Sequence, residues 1–125
     1  MSLHGQHLIA GERRASAPGS FQGIDATTQA LLSPSFSEAT GAEIDAAVTF
    51  ASAAFLGFAE TTGEQRAVFL ETIASEIEAI GDLLLARAHQ ETGLPLPRLT
   101  GERGRTCGQL RLFASVAREG SWVDA

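Results

Sequence analysis

The sequence predicts a mainly α-helical chain led by a short β arm, and three observations support this. Apolar residues recur at helical spacing from residue 40 to residue 119, with capping residues between the runs. Residues 1–36 instead carry short apolar stretches broken by Gly and Pro. The 125 residues, 44% hydrophobic and 19% charged, have the length and composition of one globular domain. The organisation expected is a β arm with loops over 1–36 and a helical layer over 37–125.

In the arm, His7-Leu8-Ile9-Ala10 reads as a first strand, Gly11-Glu12 as a hairpin turn, and a second extended piece runs through Arg14. Ala17-Pro18-Gly19-Ser20 is a loop signal. Ala30-Leu31-Leu32-Ser33 is a strand expected to end at Pro34, which suits a sheet edge. Pieces this short make no stable sheet alone and must pair with, or lie on, something else.

The first helix opens at Thr40, whose hydroxyl forms a capping box with the carboxylate of Glu43. Ile44, Ala47, Val48, Ala51, Phe55 and Phe58 then share one face, and the helix should end near Ala59. A second cap, Thr61 with Glu64 or Thr62 with Gln65, opens a helix striped by Phe69, Leu70, Ile73, Ile77 and Ile80. Glu71, Ser75 and Glu78 are expected opposite that stripe. Gly81 stops this helix and Asp82 caps a third over 83–91, which Gly93 and Pro95 terminate. Pro97 starts a fourth helix that runs to Glu119 and stops at Gly120.

The fourth helix has three distinct faces. At about 100° per residue, Leu99, Leu110, Phe113, Ala114 and Ala117 form its core face. Gly101, Gly104 and Gly108 fall on another, where each glycine costs up to about 1 kcal/mol relative to Ala. Such a stripe suits the close approach of another helix or of a ligand; tight packing or a loose first turn gives the same pattern. Arg98 and Arg105 lie together beside it, with Glu102 an i+4 partner for Arg98. Arg103 points toward the core face, about 160° from Arg105, where its guanidinium requires a partner.

What the composition lacks excludes chemistry. There is no Lys, Tyr or Asn, and all nine basic residues are Arg. Codon bias in a GC-rich, bacterial gene accounts for this, yet it also removes any P-loop lysine, Schiff-base lysine or tyrosine acid. The net charge of −6 comes from 37–97, where ten acids face only Arg66 and Arg87; this is no nucleic-acid footprint. The longest apolar runs, such as Leu83-Leu84-Leu85-Ala86, fall far short of a membrane span, and the start resembles no export signal. The expectation is a cytoplasmic protein without membrane or nucleic-acid partners. His4, His7 and His89 are not spaced as a metal cluster with Cys107, so no metal site is expected. His4 and His7 are assigned to a mobile amino terminus, and Cys107 to a mid-helix position where a free thiol acts as a small hydrophobe. Arg103 and Arg111, each four residues away, leave thiol reactivity open.

The order of motifs resembles the amino-terminal end of the aldehyde dehydrogenase superfamily. Ile9-Ala10-Gly11-Glu12 opens it, and Ile24-Asp25-Ala26-Thr27-Thr28 stands where members often carry an Asn-Pro-Ala-Thr type segment. The Ala-rich helix ending in Phe55-Leu56-Gly57-Phe58 and the Glu64-Gln65-Arg66-Ala67-Val68-Phe69-Leu70 helix follow. Glu91-Thr92-Gly93-Leu94-Pro95 resembles the family's Glu-Thr-Gly-Lys-Pro landmark. Gly101-Glu102-Arg103-Gly104-Arg105-Thr106-Cys107, Gln109-Leu110-Arg111-Leu112-Phe113-Ala114 and Glu119-Gly120-Ser121-Trp122 are most similar to the α-ketoglutaric semialdehyde dehydrogenase branch.

The resemblance implies an α/β parent fold, in which 37–125 belongs to the helical layer of a cofactor-binding domain. It implies NAD or NADP as cofactor, a small aldehyde as substrate, the remainder of the dehydrogenase as partner, and a homo-oligomer. The chemistry implied is thiolate attack on the aldehyde, hydride transfer and thioester hydrolysis. The groups for it, including the residues that hold the cofactor, come later in such chains. Cys107 does not match the nucleophile, which follows a Gly-Gln-x-Cys pattern; here Cys107-Gly108-Gln109 sits in a helix. No catalytic or cofactor-binding residue is therefore assigned. The resemblance does put the fourth helix beside a substrate tunnel, and the substrate-binding candidates are Arg105 and Arg103. A second reading is a stand-alone, non-enzymatic helical module, or a gene remnant. On the first reading the isolated chain should be soluble but associating, or molten.

Overall fold

The structure, a computed structural model, describes residues 3–122; the first two residues of the expected arm and the last three of the expected helical layer lie outside them. Along the chain run β1 (His7–Ile9), β2 (Glu12–Arg14), β3 (Ser20–Ile24), β4 (Leu31–Ser37), α1 (Gly41–Ala59), α2 (Gly63–Ile80), α3 (Asp82–Thr92) and α4 (Leu96–Glu119). Two compact units divide them, Met1–Glu60 and Thr61–Ala125.

In the first unit β1 and β2 form an antiparallel hairpin pairing Ile9 with Glu12. Its turn is Ala10-Gly11, one residue earlier than expected, with φ of 53° and 82°. Two left-handed residues make the tight turn whose twist matches the flanking strands. His7 lies in β1 rather than on a loose terminus. Two features of the second hairpin differ from expectation. Ser20–Ile24 is a strand, and its partner β4 continues past Pro34 to Ser37. Phe21 stacks on Phe36 at 5.7 Å and registers the pair. The ladder slips between Phe21 and Gly23, so Pro34 falls in the irregular stretch where no ladder N–H is needed.

α1 begins at the Thr40–Glu43 capping box, as expected. Its apolar face is not covered: Ile44, Val48, Phe55 and Phe58 are all more than half exposed, and only Glu43 is buried along the helix. α1 is also long and apolar enough to cross a membrane by length and mean hydropathy. That amends the expectation drawn from uninterrupted runs, because isolated Thr, Ser and Gly break a run without lowering the mean enough.

In the second unit α2 starts at Thr62 with Gln65, the second of the two caps expected. The helices that follow end at left-handed glycines, Gly93 (φ 69°) and Gly120 (φ 75°). Gly81, not Asp82, is the N-cap of α3; Asp82 takes the first helical position, where its charge suits the helix dipole. α2 and α4 pack antiparallel: a side chain added at Gly63 would run into the Ala117 carbonyl, while the Ala74 carbonyl meets the Cys107 thiol. Their seam consists of small residues seven apart, Ala67 and Ala74 on α2, Cys107 and Ala114 on α4, all at 1% exposure or less. Leu99 is buried near the start of α4. Phe113, expected in the core, is 58% exposed. It precedes Ala114 and so points about 100° away from a seam too narrow for a ring. Phe69, two residues past Ala67 and so about 160° round the helix from it, is exposed as well.

Candidate functional site

The charged side chains of α4 sort onto separate faces. On the solvent side Arg105 donates from Nε and Nη2 to the same oxygen of Glu102, Oε2, at 3.0 and 2.8 Å. Arg98 approaches the other oxygen, Oε1, at 3.5 Å, the i+4 pair expected from the sequence. Hydrogen bonding from Arg105, then its charge, holds the Glu102 carboxyl below its usual range, with Arg98 adding to this. A side chain built at Gly101, Gly104 or Gly108 would meet no neighbour within 4 Å, so the glycine face beside these residues is open.

Arg103 is half-buried on the other side of the helix, and its Nη1 donates to the Gly81 carbonyl at 3.1 Å. The partner its position required is thus a backbone oxygen at the α2–α3 junction. The structure does not bring Arg103 and Arg105 together. Cys107, 1% exposed, donates its thiol to the Ala74 carbonyl at 3.6 Å and fills the seam as a small hydrophobe would.

Sequence reasoning missed an ion-pair ladder along α2 and α4. Arg118 forks onto both Glu64 and Glu71, with contacts of 2.7 to 3.2 Å. Arg111 forks onto Glu78 at 2.8 and 2.6 Å. Glu71 and Glu78, expected opposite the core stripe, therefore flank the seam. The signal was present as seven-residue spacing of Glu64, Glu71 and Glu78 against Arg111 and Arg118. Hydrogen bonds from these arginines lower all three carboxyls, and burial opposes that only partly.

In the first unit Glu43 is the best-anchored carboxylate. It accepts from the Thr40 backbone N–H and hydroxyl at 2.9 Å each, and from the Ser16 N–H at 3.0 Å. Thr40 first and Ser16 second draw its carboxyl down to about 2, against the cost of burial. A cleft of about 240 Å³ lies beside it, walled by His7, Leu8, Ile9, Ile44 and Ala47. His7 Nε2 is shielded from solvent and has no hydrogen-bond partner among the described residues. Among those residues no cluster of His, Cys, Asp and Glu is placed to hold a metal ion. His89 is engaged by the Leu94 carbonyl at 2.7 Å, and His4 Nδ1 accepts from the Gln6 N–H.

The order of elements among the described residues, two hairpins and then four helices with Gly93-Leu94-Pro95 joining α3 to α4, coincides with a family match. The family model described as Aldehyde dehydrogenase family matches residues 14–123, and the chain belongs to that family. Within it, the chain is 45% identical along its whole length to alpha-ketoglutaric semialdehyde dehydrogenase 2 of Azospirillum brasilense, of which it covers 24%. It is 46% identical, over 98% of its length, to alpha-ketoglutaric semialdehyde dehydrogenase of Acinetobacter baylyi, covering 23% of that protein. N-succinylglutamate 5-semialdehyde dehydrogenase of Pseudomonas fluorescens is 39% identical over 70% of the chain, which covers 18% of it. The chain thus spans about a quarter of the length of the two alpha-ketoglutaric semialdehyde dehydrogenases.

Proposed function

We propose that the chain is the amino-terminal part of an NAD(P)-dependent aldehyde dehydrogenase oxidising a semialdehyde of the 2,5-dioxopentanoate kind to the carboxylate, and that it is inactive alone. The observation that carries this is 45% identity along the whole chain to a semialdehyde dehydrogenase of which it covers 24%. On this reading the parent has an α/β fold and the helices belong to the layer covering its cofactor-binding domain. The exposed apolar residues of α1 support it, since such a surface calls for covering protein. That cover is the remainder of the enzyme rather than lipid, and the parent is a cytoplasmic homo-oligomer.

NAD or NADP supplies the hydride acceptor of such a reaction. The residues present do not fit it, because the chain has neither a Gly-x-Gly-x-x-Gly turn nor a lysine. What the chain contributes is substrate recognition by α4. Arg105 sits on an open face, and a guanidinium fork pairs bidentately with the carboxylate of an anionic semialdehyde. Arg103 is the weaker substrate candidate, being committed to the Gly81 carbonyl on the far side of the helix.

Joining the chain in frame to the remaining length of the Azospirillum relative tests the reading. Reduced cofactor should form from 2,5-dioxopentanoate with the joined enzyme, and none with the 125-residue chain. In that enzyme Arg105→Ala should raise KM for the anionic semialdehyde about tenfold more than for an uncharged aldehyde, as loss of one charge-assisted hydrogen bond predicts. A folded but inactive joined protein would overturn the reading and favour a partner-binding module.

A further inference from the structure

We propose that Glu102 is a built-in counter-ion that competes with an incoming carboxylate for Arg105, and so sets how readily that arginine takes an anionic ligand. This deepens, and rests on, the role given to Arg105 above. The edge of a guanidinium that forms side-on bidentate pairs is its Nε and Nη2 edge. In Arg105 both of those nitrogens are spent on one oxygen of Glu102. A ligand carboxylate must displace Glu102 to gain that edge.

The geometry makes the displacement an exchange rather than a rupture. The second oxygen of Glu102 already lies 3.5 Å from Arg98 Nε, so a displaced Glu102 keeps a cationic partner. One carboxylate faces two guanidinium groups, which leaves a single positive charge for a ligand to neutralise. The Arg105 and Glu102 side chains are 69% and 39% exposed, and exposed pairs of this kind are weak. Glu102 therefore tunes the site without blocking it. The adjoining glycine face, free of neighbours within 4 Å, leaves room for the ligand to arrive.

The test uses the full 125-residue chain, with glutarate as probe at constant ionic strength and the Arg105 Nε–H resonance as readout. That signal should move saturably with glutarate in the wild type. Glu102→Gln should lower the apparent Kd about threefold, the scale expected when exposed pairs of this strength are removed. Glu102→Asp, which keeps the charge, should return it toward the wild-type value. An unchanged Kd in Glu102→Gln, or no glutarate-dependent shift in either protein, overturns the proposal. In the joined dehydrogenase, Glu102→Gln should lower KM for the anionic semialdehyde more than for an uncharged one. If the joined enzyme is inactive, the dehydrogenase reading fails while the glutarate titration still decides the role of Glu102.

Discussion

The two halves of the chain hold their longest helices in opposite ways. α1 is anchored at its start: the Thr40–Glu43 box, the Ser16 N–H on Glu43 and Arg14 lying 5.9 Å from the Phe50 ring centre all act in its first ten residues. α4 is held along its length, by small residues buried against α2 and by arginines forked onto Glu64, Glu71 and Glu78. The more apolar helix is the less buried one. Burial here follows from a matching surface within the unit, and apolar content alone does not create it.

A substitution that widens the α2–α4 seam should have the largest effect. Ala74→Leu inserts a bulky side chain where nothing is exposed, and overpacking of this kind costs about 1–3 kcal/mol. Urea unfolding followed by the single Trp122, whose indole donates to the Val116 carbonyl of α4, reads it directly. Val48→Leu on exposed α1 should stay within about 0.5 kcal/mol. Equal losses at the two positions would erase the contrast.

Loss of the α1 cap comes next. Thr40→Ala removes the hydroxyl that accepts from the Glu43 N–H and should cost about 1 kcal/mol. Amide exchange should quicken in the first turn of α1, with little change in the Trp122 transition.

Acid should act in the same order of place. The Glu43 carboxyl has its value lowered from 4.5 to about 2 by its bonds to Thr40 and Ser16. A depressed carboxyl stabilises the fold fully above its unfolded value and loses that contribution as pH falls through its folded one. The first turn of α1 should therefore loosen between about pH 4.5 and pH 2, followed by exchange or chemical shift. Glu64, Glu71 and Glu78 are lowered in the same direction by Arg118 and Arg111, so the seam also weakens on acidification. The smallest effect on stability belongs to Phe55→Ser, which should leave unfolding within about 0.5 kcal/mol while reducing self-association seen by light scattering.

The helices were legible in the sequence because their boundaries are set locally, whereas strand β3 and the extension of β4 past Pro34 were not. Thr40, Thr62, Gly93 and Gly120 act within one turn of themselves, and the helices lie where those residues put them. Faces were legible only in part. Which stripe of α2 is covered depends on what α4 offers: Ala114 and Leu99 are buried as expected, but small residues there moved the rest of the seam from Phe69 and Phe113 to Ala67, Ala74 and Cys107. The bond between Ser16 and Glu43 spans 27 positions and left no local trace. At the candidate site the Arg98–Glu102 pair followed from i+4 spacing, and Arg103 was seen to need a partner. That Arg105 would take the same carboxylate, and that Gly81 would serve Arg103, depended on side-chain and junction geometry that spacing does not specify.

The enclosed thiol of Cys107 gives the α2–α4 pair a stopwatch. With 1% exposure and its hydrogen on the Ala74 carbonyl, it meets a water-borne alkylating reagent only when the two helices part. Because the chain has a single cysteine, every label acquired marks one such opening, and its rate reports the free energy of parting without a denaturant. A covering partner that clamps the pair would slow the clock, and one that pries it apart would speed it.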